Sequence, residues 1–114
     1  MSSLSTHVLD TALGKPAAGL QVTLTHLSPP DPTSLSSEIG SGTTDIDGRI
    51  TEFTDADLAP GTYQLKFATA AYAQATNQET FFPEVTVTFT ISAERHYHVP
   101  LLLSPFAFST YRGS

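Results

Sequence analysis

Apolar and polar residues alternate along much of this chain with a period of two. Leu20, Val22 and Leu24 alternate with Gln21, Thr23 and Thr25, and Tyr63, Leu65 and Phe67 with Gln64, Lys66 and Ala68. Val85, Val87, Phe89 and Ile91 alternate with three threonines, Thr86, Thr88 and Thr90. Each set puts apolar side chains on one face of a strand and polar ones on the other, as a half-buried antiparallel sheet requires. A first strand over about residues 4–9 and a second over about 20–26 are separated by the turn residues Gly14-Lys15-Pro16. Asp45-Ile46-Asp47-Gly48 precedes a short strand predicted from Arg49 to Phe53, and Ala59-Pro60-Gly61 precedes the Tyr63 strand.

One stretch breaks the alternation. Ala68 to Gln78 is rich in alanine, has weak β character and predicts the chain's single helix, ended near Asn77. Ser28 to Ser37, with Pro29, Pro30 and Pro32 among serines, predicts an exposed loop between strands. Short strands, regular turns and one short helix give an all-β class, a β-sandwich. With 114 residues and no internal repeat or linker, residues 1–114 are expected to form one domain.

The C-terminal quarter is different in character. Extended, Tyr97, Val99, Leu101 and Leu103 share one face, and His96, His98, Pro100 and Leu102 the other. A last strand then alternates Phe106, Phe108 and Thr110 with Ala107, Ser109 and Tyr111. A terminal hairpin with bulk on both faces predicts packing between subunits, hence an oligomer.

Composition narrows the function. There are no cysteines, so disulfides, thiolate nucleophiles and thiolate metal sites are excluded. Five basic residues against 11 acidic ones, a net charge of −6, leave no positive stripe for a nucleic-acid backbone. No apolar run is long enough to cross a bilayer, and neither a secretory signal nor a Ser-Lys-Leu address is visible. The expected location is the cytoplasm.

With so little positive charge, Arg49 stands out. Its ordinary role is a surface pairing with a turn aspartate; its sharper role is a planar donor for a carbonyl or enolate oxygen. The preceding Asp-x-Asp-Gly resembles the start of a calcium loop, but the downstream acidic position is Ala56, which argues against calcium. Of the four histidines, His7 shares a strand face with Ser5 and Leu9, and His96 and His98 share one with Pro100. Each is either an ordinary strand residue or a group able to transfer protons near neutral pH. His26, beside the proline-rich stretch, is given the ordinary role. The ending Tyr111-Arg112-Gly113-Ser114 is by composition alone as consistent with an idle tail as with a site.

Three segments together resemble the transthyretin-like family. They are Ser5-Thr6-His7-Val8-Leu9-Asp10 with Gly14-Lys15-Pro16-Ala17, Thr44-Asp45-Ile46-Asp47-Gly48-Arg49, and His96 to Pro105 running into Ser109-Thr110-Tyr111-Arg112-Gly113-Ser114. Phe81-Phe82-Pro83-Glu84 also fits. The family's hormone carriers lack the histidine at the place of His98 and continue past the position of Ser114. Its hydrolase branch keeps the three polar residues and ends in Tyr-Arg-Gly-Ser, as here. The Ser28–Ser37 stretch is the one departure and lies away from the motifs.

The resemblance implies a transthyretin-like antiparallel β-sandwich with one short helix, assembled as a homotetramer with its sites at the subunit interface. It implies hydrolysis of 5-hydroxyisourate to 2-oxo-4-hydroxy-4-carboxy-5-ureidoimidazoline in urate degradation, with no cofactor. The catalytic residues would be His7, Arg49, His98 and Ser114, and substrate would be held by His7, Arg49, Tyr111, Arg112 and Ser114. Attack of water on an amide-like carbonyl needs a base, stabilisation of the oxygen, and a proton for the leaving nitrogen. Either His98 or His7 fits as base, with Arg49 holding the oxygens and Ser114, by hydroxyl or carboxylate, holding the water or the heterocycle. Residues added after Ser114 would then impair catalysis more than folding. The competing readings are a zinc site on His96, His98 and His7, a non-catalytic carrier of a small apolar molecule, and a sandwich that only assembles subunits; the expectation is no metal.

Overall fold

A computed structural model of the chain describes residues 2–27, 37–54 and 57–113. It contains nine strands, β1 (Ser3–Asp10), β2 (Lys15–Pro16), β3 (Gln21–His26), β4 (Ser37–Thr43), β5 (Arg49–Ile50), β6 (Gly61–Phe67), β7 (Val85–Ile91), β8 (His96–Leu103) and β9 (Phe108–Thr110), and one helix, α1 (Thr69–Ala75). One sheet runs β2-β1-β8-β9, with β5 also paired to β1; the other runs β4-β3-β6-β7. The apolar halves of the alternating strands meet between the sheets. Val8, Val22, Leu24, Leu65, Phe67 and Leu101 have no accessible surface. The predicted sandwich with its single short helix is therefore the observed one.

Several details differ from the alternation pattern. All pairs are antiparallel except β1 with β8, which run parallel over their full length, from Ser3 opposite His96 to Asp10 opposite Leu103. Period two is the same in either direction, so it carries no information about this pairing. The strand predicted to reach Phe53 ends at Ile50, and only Phe108–Thr110 of the last strand is paired. β4 was not predicted: Ser-Glu-Ile-Gly-Ser-Gly-Thr shows no alternation. Its Gly40 is a steric necessity and its Gly42 sits in a tight space. A Cβ on Gly40 would sit 2.1 Å from the Phe53 carbonyl oxygen, and one on Gly42 would sit 3.3 Å from Ile50. Residues 28–36 of the predicted loop lie outside the described residues.

α1 lies where the alanine-rich stretch predicts, and Asn77 takes φ 56° just beyond its end. Its Tyr72 hydroxyl donates to Asp10 Oδ2 at 2.7 Å, and Gln78 Nε2 donates to the same oxygen at 2.9 Å. The Leu13 amide donates to Asp10 Oδ1 at 2.9 Å. This buried clamp fixes the C-terminal end of β1 and hence the strand that carries His7.

Candidate active site

The parallel pair β1–β8 presents one polar face to the outside. On β1, Leu4, Thr6, Val8 and Asp10 are buried while Ser3, Ser5, His7 and Leu9 face outward. On β8, Tyr97, Val99 and Leu101 point inward, and His96, His98 and Leu102 take the outer side. Thr6 locks the pair from within, its Oγ1 donating to the Val99 carbonyl at 2.7 Å. The register sets His98 opposite Ser5 and His7 opposite Pro100.

Arg49 is brought to this face by its turn. Asp45 Oδ1 accepts the amides of Asp47 at 2.9 Å and Arg49 at 3.0 Å, and the Gly48 amide donates to the Asp45 carbonyl at 2.9 Å. Gly48 takes φ 75°, and a Cβ there would lie 2.4 Å from the Val8 carbonyl oxygen. Only glycine allows the turn to close against β1. The closed turn pairs Arg49 with His7 across β5 and β1. The Asp-x-Asp-Gly sequence thus serves as a clip for Arg49.

His98 is half-buried at the centre of the cluster. Burial, then the charges of Arg49, His7 and His96, hold its pKa below the ordinary 6.5, with a hydrogen bond to the Ser5 backbone working the other way. Near neutral pH it is therefore a neutral imidazole with a lone pair to use. Its Nδ1 lies 2.8 Å from Ser5 Oγ, so among the described residues Nε2 is the nitrogen left without a partner. The end of the chain lies against the same ring. Gly113 bridges to His98, its amide donating to the His98 carbonyl at 2.8 Å, and a Cβ on Gly113 would sit 2.6 Å from His98 Cδ2. The glycine of the terminal motif is there for close approach.

His7, Arg49 and His98 are thus brought together on one face. Tyr111 and Arg112 are exposed and line an apolar cleft of about 310 Å³ with Val87, Phe89, Tyr97 and Val99. Ser114 lies outside the described residues. His96 is exposed, with Nδ1 2.6 Å from Ser3 Oγ and Nε2 2.8 Å from Ser5 Oγ. Both of its ring nitrogens are thus within hydrogen-bonding distance of a serine hydroxyl. His26 is buried and stacks on Tyr63 with ring centroids 4.3 Å apart, in the other sheet. Ser3, Ser5 and Gly113 were not singled out from sequence. The available signal for Ser5 was its place on the same strand face as His7.

A family model described as the HIUase/Transthyretin family matches residues 4–113. The chain belongs to the HIUase/transthyretin family. Within this family, a mouse 5-hydroxyisourate hydrolase is 47% identical over 115 residues, covering 99% of this chain and 96% of the relative. A 5-hydroxyisourate hydrolase from Salmonella dublin is 46% identical, covering 97% and 80%. Among solved structures, the Klebsiella pneumoniae 5-hydroxyisourate hydrolase superposes with a TM-score of 0.86 at 35% identity, covering 98% of this chain and 99% of that one. Sea bream transthyretin in complex with thyroxine superposes with a TM-score of 0.88 at 29% identity, covering 97% and 94%. The family's backbone therefore does not separate hydrolase from carrier, and the side chains must.

Proposed function

We propose that this protein hydrolyses 5-hydroxyisourate, opening its six-membered ring to give 2-oxo-4-hydroxy-4-carboxy-5-ureidoimidazoline. The observation that carries this reading is the outward cluster of His7, Arg49 and His98 in a chain related along its whole length to hydrolases of that name. A carrier of an apolar ligand has no use for two imidazoles and a guanidinium gathered on one face.

In this reading each group has a part. Neutral His98 takes a proton from the attacking water through Nε2. The Arg49 fork binds the carbonyl oxygen and the negative charge that develops on it. His7, paired in register with Arg49, protonates the departing ring nitrogen, and Ser114 orients water or heterocycle. Tyr111 and Arg112 complete the substrate's surroundings from the chain end. No cofactor enters: water is the only co-reactant, and no electrons change hands.

The assembly that fits is a homotetramer with sites between subunits. The site face is an open sheet surface, and the cleft lined by Tyr111 and Arg112 is bordered by β7 and β9, each at the edge of its sheet. Light scattering should give four times the chain mass.

The function is tested by generating 5-hydroxyisourate with urate oxidase and following its absorbance with and without the protein. Accelerated decay is expected. Decay at the uncatalysed rate would remove the enzyme reading and leave the carrier.

A further inference from the structure

Four side chains on the outer face form a continuous hydrogen-bonded row. Ser5 Oγ lies 2.8 Å from His98 Nδ1 and 2.8 Å from His96 Nε2, and His96 Nδ1 lies 2.6 Å from Ser3 Oγ. The parallel register produces this row. Ser3 lies opposite His96 and Ser5 opposite His98, so outward residues of β1 and β8 alternate as hydroxyl and imidazole. The row runs from the half-buried His98 to Ser3 and His96, both exposed.

We infer that Ser5 is a positioning residue for His98 and that His98, Ser5, His96 and Ser3 together form a proton relay from the active site to solvent. The inference rests on the hydrolase reading above. A serine hydroxyl has one proton to donate and lone pairs to accept with, and a neutral imidazole has one donor and one acceptor nitrogen. With His98 Nε2 free to accept from water, the row has one consistent polarity. His98 Nδ1–H donates to Ser5 Oγ, Ser5 Oγ–H donates to His96 Nε2, and His96 Nδ1–H donates to Ser3 Oγ.

The reverse polarity satisfies the same four groups but leaves His98 protonated on Nε2 and unable to accept from water, so it is the state after a proton has passed and not the resting one. Moving between the two patterns is the relay. A proton arrives at His98 Nε2, the Nδ1 proton passes to Ser5, and the Ser5 proton passes to His96 Nε2. The resulting His96 imidazolium loses its Nδ1 proton through Ser3 to water. One proton enters and one leaves, and no covalent bond other than those to hydrogen changes. The reaction needs such an outlet. Opening an amide-like ring at neutral pH yields a carboxylate and a neutral nitrogen, so each turnover releases one proton. The groups facing His98, namely His7 and Arg49 besides His96, are basic, and Arg49 accepts no proton.

Two measurements test this. In the unsubstituted protein, nitrogen-15 NMR of the imidazoles should place the proton of neutral His98 on Nδ1; a proton resident on Nε2 would overturn the assignment. This readout does not depend on turnover, so it decides the relay even if 5-hydroxyisourate decay is not accelerated, an outcome that overturns the function instead. In kinetics, Ser5→Ala should lower kcat by about 10- to 100-fold with KM within about twofold, the range of a general-base contribution. Ser5→Thr, which keeps the hydroxyl, should recover most of that loss, and His96→Gln should lower kcat less than Ser5→Ala does. Unchanged kcat in Ser5→Ala, or equal losses in the alanine and threonine variants, would overturn the relay.

Discussion

Strand β1 carries two polar centres on opposite faces, and they are built to opposite ends. Inward, Asp10 is buried and receives hydrogen bonds from Tyr72, Gln78 and the Leu13 amide. Burial pushes its carboxyl up, but those hydrogen bonds outweigh it and hold the carboxyl below the ordinary 3.8. Burial and the Asp10 charge in turn raise the Tyr72 hydroxyl far above its usual value. Both carboxylate oxygens accept hydrogen bonds from the fold itself, so the charge is fixed and the clamp is structural. Outward, His98 is held neutral, keeps one nitrogen without a partner among the described residues, and faces the Arg49 charge, which opposes its protonation. A residue three positions from Asp10, His7, belongs to the second centre. The difference between structure and chemistry on one strand is thus the difference between saturated and unsaturated hydrogen-bonding capacity.

The comparison sharpens under substitution. Arg49→Gln removes the charged fork from the outward centre and should cost about 100- to 1,000-fold in kcat/KM, the usual effect of losing one oxyanion donor. The urea midpoint should hardly move, because Arg49 is exposed. Asp10→Ala should do the reverse. It strands the Tyr72 hydroxyl and the Leu13 amide and should cost about 2–3 kcal/mol in urea unfolding. A stability loss below about 0.5 kcal/mol there would break the distinction. Gly113→Ala should lower activity by about tenfold with little change in stability, since its Cβ can be accommodated only by displacing the His98 ring or the chain end.

The smallest effect is on titration. A lowered native pKa means that the unfolded chain binds the proton more readily, so stability rises with pH across the interval between the two values. For His98 this contribution is complete above the ordinary 6.5 and is lost as pH falls through the lower native value. For Asp10 the same interval lies below 3.8. NMR titration of His98 should show a midpoint below 6.5, rising toward it in Arg49→Gln. It should stay below 6.5 in that variant because burial, the leading cause, remains. An unchanged midpoint would mean that Arg49 does not reach His98.

Much of this was legible from the chain. The strands at Leu20–Leu24, Tyr63–Phe67 and Val85–Ile91 announce themselves because one face is buried and the other is not. His7, Arg49 and His98 fall in motifs whose resemblance carried their roles. What was not legible depends on tertiary pairing. β4 lacks alternation because Gly40 and Gly42 are set by the close approach of Phe53 and Ile50. Ser5 becomes a partner of His98 only through a parallel register joining residues 93 positions apart. Only the register shows both His96 ring nitrogens within hydrogen-bonding distance of a serine hydroxyl. Gly113 is only one letter of the terminal motif in sequence and proves to be a matter of space.

The central claim is that the outward cluster performs hydrolysis. It is tested most directly by comparing the decay of enzymatically generated 5-hydroxyisourate in the presence of the unsubstituted protein and of His98→Asn at equal concentration, with both shown to be equally folded. The account predicts rapid decay with the former and a rate at least about 100-fold lower with the latter, as for loss of a general base. Equal rates for the two proteins would contradict it.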